Sequence, residues 1–259
     1  MEKITIALAG QPTVGKSSLI NAISNATLKV GNFSGVTVDK TEVEFKICDE
    51  VTCKDYEIHI IDLPGAYSLT EYTIEEKVTK SFLQSDEYDI IVNVVDSTNL
   101  QRNLLFTTQL LETGKKVIVA LNMDDEAQKE GIKIDEKQLS AILGVPCIKT
   151  SAAQKTGVEA LKAAIIEVYE KEETGGKVIY SDPIEEEIET IVNFLKEKKY
   201  QSTIPYRQLA VRLLQEDVVV YKKMHDEPIW IEMLPIVREG LKHLYLHNNT
   251  KDLDEIFAD

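Results

Sequence analysis

The chain has 259 residues, 43% of them hydrophobic, with 29 Lys and Arg against 44 Asp and Glu, a formal net charge of -15. That length and composition support one large domain or two modest ones with a real core, while the acidic balance works against nonspecific binding to nucleic acid or an anionic membrane surface. No run of about 18 apolar residues occurs, so no membrane span is expected.

Met1-Glu2-Lys3 leads directly into Ile4-Thr5-Ile6-Ala7-Leu8-Ala9, an apolar run of strand length, so no signal peptide is expected. Next comes Gly10-Gln11-Pro12-Thr13-Val14-Gly15-Lys16-Ser17, which fits G-x-x-x-x-G-K-[ST], and then Ser18-Leu19-Ile20-Asn21-Ala22-Ile23 at helical spacing. Strand, loop and helix is the order this phosphate-binding pattern requires. Its glycines let backbone N–H groups turn inward, and the helix start adds free N–H groups and the positive end of its dipole. Lys16 is expected to reach β- and γ-phosphates, and the Ser17 hydroxyl to ligate Mg2+.

The stretch Val30 to Lys40 holds Gly31, Gly35, Val36 and Thr37 within reach of that site. Thr37 is expected to close on Mg2+ and the γ-phosphate, ordering the loop while triphosphate is bound. Val43-Glu44-Phe45-Lys46-Ile47 alternates cleanly, as a half-exposed edge strand does. Ile58 to Ile61 is a buried strand and leads into Asp62-Leu63-Pro64-Gly65. A carboxylate there can hold Mg2+ through water, and the Gly65 N–H can contact a γ-phosphate.

A helix is expected over 73–84, a buried strand over Ile90 to Val95 and a helix over 101–113. The fifth strand, Val117 to Leu121, runs into Asn122-Met123-Asp124-Asp125. The N-x-x-D spacing assigns Asp125, rather than its neighbour Asp124, to the ring N–H and exocyclic amine of guanine, donors that adenine does not present as a pair. After a helix over 135–143 and a sixth strand, Ser151-Ala152-Ala153 offers backbone N–H groups to the base oxygen. A last helix over 157–171 carries Val158, Leu161, Ile165 and Val168 on one face. These motifs predict an α/β, doubly wound, mostly parallel P-loop GTPase domain over 1–172, with ligands at the carboxyl ends of its strands.

The Gly-Gly pair in 173–180 marks a linker, and 181–259 reads as a small all-α bundle. Asp182-Pro183 with Glu185 looks like an N-cap, a first-position proline and a capping-box acid. Ile184, Ile188, Ile191, Val192 and Leu195 form an apolar stripe. Further helices are expected from Pro205, over Val218 to His225, and from Pro228 toward Leu246, with Pro235 kinking or interrupting the last. His243 and His247 are four apart on that helix, but solvated or capping roles outweigh metal ligation. Cys48, Cys53 and Cys147 have no framework spacing and point to reduced cytoplasmic thiols. Cys48 and Cys53 bracket an acidic, hairpin-like turn, where inert thiols are expected.

The segments GQPTVGKS, VGNFSGVTVDK, DLPGAYSL, NVVDSTNLQRNL and ALNMDDEAQKEGI resemble the amino-terminal cytosolic region of the ferrous iron transport protein B family, over residues 3 to about 170. Ile256-Phe257-Ala258-Asp259 resembles the start of a family motif near I-A-D-A-R-Y, which suggests a fragment of a longer chain. The resemblance implies a GTPase domain joined to a helical domain that slows GDP release, on the cytoplasmic face of the cell membrane. The fragment itself would be soluble, its partner the membrane-spanning iron pathway beyond residue 259. Homo-oligomerisation stays open and no nucleic-acid partner is expected. Met123 replaces the lysine of many small GTPases.

Two departures from the family follow. Gln11-Pro12-Thr13 stands where the family usually reads N-P-N, and its second asparagine is associated with potassium activation. Thr13 has only a hydroxyl for that task, so activation is expected to be weak or absent. Ala66 stands where many small GTPases place a water-orienting glutamine, so slow turnover is expected. The rival readings are a ribosome-assembly or tRNA-modifying GTPase, although 181–259 offers no G-x-x-G clamp and no basic stripe, and a nucleotide-binding adaptor that hydrolyses negligibly.

Overall fold

The apolar run near the start forms β1 (Glu2–Gly10), the central strand of a seven-stranded sheet among the described residues. The computed structural model describes residues 2–24, 29–33, 38–49, 54–69, 73–85, 87–171, 179–202 and 204–257. The other strands are β2 (Lys29–Asn32), β3 (Asp39–Asp49), β4 (Lys54–Asp62), β5 (Ile90–Asp96), β6 (Lys116–Asn122) and β7 (Cys147–Lys149). Their order is β2-β3-β4-β1-β5-β6-β7. β4, β1, β5, β6 and β7 are parallel, whereas β2 and β3 are antiparallel additions at one side.

The strand alternation explains the continuous apolar runs. In β1, Ile4, Ile6 and Leu8 enter one core while Ala7 and Ala9 enter the other. β5 divides in the same way, with Ile90, Val92 and Val94 opposite Ile91 and Val95. A strand covered on both faces has no position to spare for water, so its sequence loses the polar alternation. On the first face lie α1 (Lys16–Ile23), through Leu19, Ile20 and Ile23, and α6 (Val158–Glu170), through Leu161 and Ile165. On the second lie α2 (Ile74–Leu83), through Val78 and Phe82, α3 (Leu100–Leu111), through Phe106 and Leu110, and Leu143 of α5 (Glu136–Leu143). The short α4 (Asp124–Lys129) follows β6. Phe106 is 1% exposed, and truncating it to alanine removes buried area worth about 3–5 kcal/mol.

Val43 to Ile47 lies at the edge expected of it, because among the described residues it pairs with β4 alone. β2 pairs with Asp39–Glu42 at the start of β3, and of these Thr41 and Glu42 also pair with β4 and so have a strand on each side. β2 went unread because four residues are too few to show alternation.

Contacts within the chain separate Met1–Val178 from Ile179–Asp259. The second unit holds α7 (Asp182–Glu197), α8 (Tyr206–Leu214), α9 (Val218–His225), α10 (Trp230–Asn248) and α11 (Leu253–Ile256). Ile184, Ile188, Ile191 and Leu195 are buried, one stripe of α7 packed in a core with Leu209, Leu213, Met233 and Val237. The cap of α7 is Ser181, with Asp182 and Pro183 inside the first turn, which corrects the assignment of Asp182 by one position. Glu185 accepts from the Tyr180 N–H at 2.9 Å and forks onto Arg207 at 2.7 and 2.6 Å. α10 runs through Pro235 without interruption. The proline removes one amide, the donor that would reach Ile231, a residue 81% exposed on the solvent side.

Candidate nucleotide site

The predicted segments leave the carboxyl ends of β1, β4 and β6 or follow β7, as a doubly wound sheet requires. β1 lies between β4 and β5, where the winding changes direction, so the loop leaving it opens at the switch point.

In that loop Gly15 caps α1 with φ 87°, and a Cβ there would stand 2.5 Å from Asn122 Nδ2, so glycine is required on two counts. Thr13 also has positive φ, 69°, a strained conformation for a β-branched residue. α1 starts at Lys16, so the amides of Lys16, Ser17 and Ser18 are first-turn donors without an intrahelical partner. Lys16 Nζ lies 3.4 Å from the Gly10 carbonyl oxygen. Burial draws its pKa down, with the Asp62 carboxylate opposing. Two side chains of the loop face inward. Val14 packs in the sheet core, and Gln11, 5% exposed, donates Nε2–H to the Arg102 carbonyl at 2.9 Å.

Asp62, Leu63, Pro64 and Gly65 lie directly on this loop. The Leu63 N–H continues the sheet pairing to the Leu8 carbonyl at 2.9 Å, and the Ala66 N–H reaches Gly10 O at 3.3 Å. A Cβ on Gly65 would stand 2.9 Å from Pro12 Cα, so only glycine lets the two loops touch. The Ser17 hydroxyl lies 3.4 Å from Asp62 Oδ2. Asp62 Oδ1 is buried without a hydrogen-bond partner among the described residues. Burial pushes the Asp62 pKa up, while Lys16 and the Ser17 hydroxyl pull it down. A desolvated carboxylate with an open oxygen beside a hydroxyl is a donor set that fits a hard cation such as Mg2+.

Asn122 is 1% exposed and joins three segments. Its Nδ2 donates to the Val14 carbonyl at 2.9 Å, and its Oδ1 accepts from the Ala152 N–H at 3.1 Å and the Thr150 hydroxyl at 3.4 Å. Met123 takes φ 60° and caps α4. Asp124 accepts from Gln128 at 2.6 Å, along the outside of α4. Asp125 lies against the 151–156 loop, where the Ser151 hydroxyl, with Lys129 beyond it, holds its pKa down. The three amides proposed for the base oxygen are not equivalent. The Ser151 N–H donates to Thr156 O and the Ala152 N–H to Asn122, which leaves the Ala153 N–H among the described residues.

Gly35, Val36 and Thr37 lie outside the described residues. The Phe33 N–H donates to Val38 O at 2.9 Å across the base of their loop. Cys53 also lies outside, Cys48 is exposed on β3, and the buried Cys147 thiol is pushed up to about 11 by desolvation. His243 Nδ1 is 3.0 Å from Glu187 Oε1, and the described residues hold no cluster of three metal-type side chains. Sequence reasoning missed the supports of the 62–69 segment. The Thr79 hydroxyl donates to Pro64 O at 3.0 Å, Gln109 Oε1 accepts the Leu69 N–H at 2.8 Å, and the Arg102 guanidinium lies 5.0 Å from the Tyr67 ring centre. The seven-residue spacing of Arg102 and Gln109, two helical turns, was the readable signal.

A phosphate loop on the central strand, with Asn122 fixing the segment of Asp125 to it, places the amino-terminal unit among P-loop GTPase domains. Residues 4–165 match the family described as ferrous iron transport protein B, and residues 180–259 match the FeoB cytosolic helical domain. The Fe(2+) transporter FeoB of Helicobacter pylori (strain ATCC 700392 / 26695) is 50% identical over 218 residues, 83% of this chain and 31% of that protein. That of Campylobacter jejuni subsp. jejuni is 41% identical over 239 residues, 90% of this chain and 38% of that protein. Among solved structures, the cytosolic domain of the T. maritima FeoB iron transporter in GMPPNP form has a TM-score of 0.75 at 35% identity, covering 95% of this chain and 96% of that one. A mutant of S. thermophilus NFeoB bound to GDP has a TM-score of 0.79 at 33% identity, covering 98% and 95%.

The chain belongs to the ferrous iron transport protein B family. It spans about a third of the length of the curated relatives it matches. No helix among the described residues is long and apolar enough to cross a membrane.

Proposed function

We propose that this chain binds GTP with Mg2+ and hydrolyses it slowly, and thereby regulates or drives ferrous iron uptake through a membrane-spanning part outside it. The observation that carries the reading is the Asn122 side chain, hydrogen-bonded to both the phosphate loop and the 150–152 segment. Solved relatives carry GDP and GMPPNP. Asp125 accepts from the guanine ring N–H and amine, and the Ala153 N–H serves the base oxygen. The amides of Gly10 to Ser18 surround the phosphates.

Ser17, Thr37 and Asp62 would hold Mg2+, which neutralises charge on the β- and γ-phosphate oxygens when bound. Lys16 places its ammonium on the same oxygens, and the Gly65 N–H donates to the γ-phosphate. Water then attacks phosphorus as the bridging oxygen leaves with GDP. Ala66 is 1% exposed and its methyl orients no water, so turnover of about 10⁻⁴ to 10⁻² s⁻¹ is expected. Thr13 supplies a hydroxyl in place of an amide, which argues against strong potassium activation. The helical unit is assigned a restraint on GDP release, with functional boundaries at 1–172 and 181–259 about a linker.

Single-turnover hydrolysis of labelled GTP with Mg2+ tests the enzymatic part. Release of phosphate at the slow rate supports it. Stoichiometric GTP binding with no release would reduce the chain to a nucleotide-binding adaptor.

A further inference from the structure

We propose that the Arg102 guanidinium is a positioning residue for GTP hydrolysis, holding the Gly65 segment against the phosphate loop through the ring of Tyr67. The inference rests on the GTPase reading above and names a residue that reading does not use.

Arg102 touches both phosphate-sensing segments through different atoms. Its carbonyl accepts the Gln11 side chain from the phosphate loop at 2.9 Å, and its guanidinium carbon stands 5.0 Å from the Tyr67 ring centre, two residues beyond Gly65. Seven residues along the same face of α3, Gln109 Oε1 accepts the Leu69 N–H at 2.8 Å. The 65–69 segment is therefore bounded by Pro12 and Gly10 of the phosphate loop and by two side chains of α3.

The helix is a firm support. Asn93 of β5 donates to the Thr107 hydroxyl at 2.7 Å, Thr107 donates in turn to the Asn103 carbonyl at 3.1 Å, and both side chains are buried with Phe106 and Leu110. By contrast, the bond from the Ala66 N–H to Gly10 O is long, at 3.3 Å, and Tyr67 is 47% exposed. The segment that must present the Gly65 N–H to a γ-phosphate thus owes its placement to α3 more than to its own backbone. A flat guanidinium on a tyrosine face suits this task, because it fixes the ring without closing the site.

GDP has no γ-phosphate for Gly65, so a positioning contact here acts on hydrolysis and not on GDP affinity. Arg102→Ala keeps the carbonyl that holds Gln11 and isolates the guanidinium. In the 259-residue chain, Arg102→Ala and Tyr67→Ala are each expected to slow single-turnover GTP hydrolysis roughly two- to fivefold. GDP affinity stays at the wild-type value. The double variant should be no slower than the slower single one, because the two side chains make one contact. Tyr67→Phe, which keeps the ring, should recover most of the rate lost in Tyr67→Ala.

An unchanged rate in Arg102→Ala, additive losses in the double variant, or equal loss of GDP and GTP affinity would each overturn the proposal. Failure of the unmodified chain to hydrolyse GTP is a separate outcome and would remove the GTPase reading itself.

Discussion

Asn122 Nδ2 donates to the carbonyl of Val14 at 2.9 Å, 108 residues away in sequence. A side chain 1% exposed thus makes one body of the loop proposed to surround phosphates and the loop that carries Asp125. Asn122→Ala leaves the Val14 carbonyl and the Ala152 N–H without their partner, a loss of about 1–3 kcal/mol in a buried site. GDP affinity measured by titration calorimetry is expected to fall roughly tenfold or more. Wild-type affinity in that variant would show that the two loops hold their places independently.

The Asp62 carboxylate, proposed to hold Mg2+, sits where burial opposes its charge. Burial raises its pKa, so the folded state binds a proton more readily than the unfolded chain does. For a raised pKa, the favourable contribution is full below the unfolded value and is lost as pH rises through the folded one. At neutral pH the ionised group therefore opposes folding of the nucleotide-free chain. Asp62→Asn is expected to raise its melting temperature by about 2 °C near pH 7. The advantage should shrink as pH falls through the raised pKa, and the Mg2+ dependence of nucleotide binding should disappear. Thermal scans across pH, with and without GDP and Mg2+, read both effects. A melting temperature lowered at neutral pH would contradict the assignment.

Thr13 holds φ 69°, a conformation asparagine adopts more readily than a β-branched residue. Thr13→Asn should relieve strain and supply the amide oxygen that the wild-type loop lacks. Hydrolysis by the wild-type chain is expected to be nearly equal in matched KCl and NaCl, whereas the variant should be faster in KCl. Strong potassium stimulation of the wild-type protein would refute the expectation.

The nucleotide unit was legible because its elements are constrained locally. β1, β5 and β6 are apolar throughout since both faces are covered, and Gly15 and Gly65 are fixed by contacts that exclude any Cβ. The cap of α7 was read one residue late because Ser181, Asp182 and Pro183 all favour a helix start. Pro235 was weighted by its own lost amide, but packing of Met233 and Val237 carries α10 through it. Periodicity could not find what depends on distant chain. Asn122 as a staple, the engaged amide of Ala152, and the support from Arg102 and Gln109 appear only once segments 30 or more residues apart are side by side.

The central claim is that Asp125 selects guanine. A carboxylate accepts from two donors on that base, whereas asparagine at the same position donates as well as accepts and suits xanthine, whose second position carries a carbonyl. Binding of GTP, ATP and XTP to the wild-type chain and to Asp125→Asn, titrated with Mg2+, tests this directly. The wild-type chain should bind GTP and not ATP, and the variant should lose GTP and gain XTP. Equal binding of ATP and GTP by the wild-type chain, or undiminished GTP binding by the variant, would contradict the account.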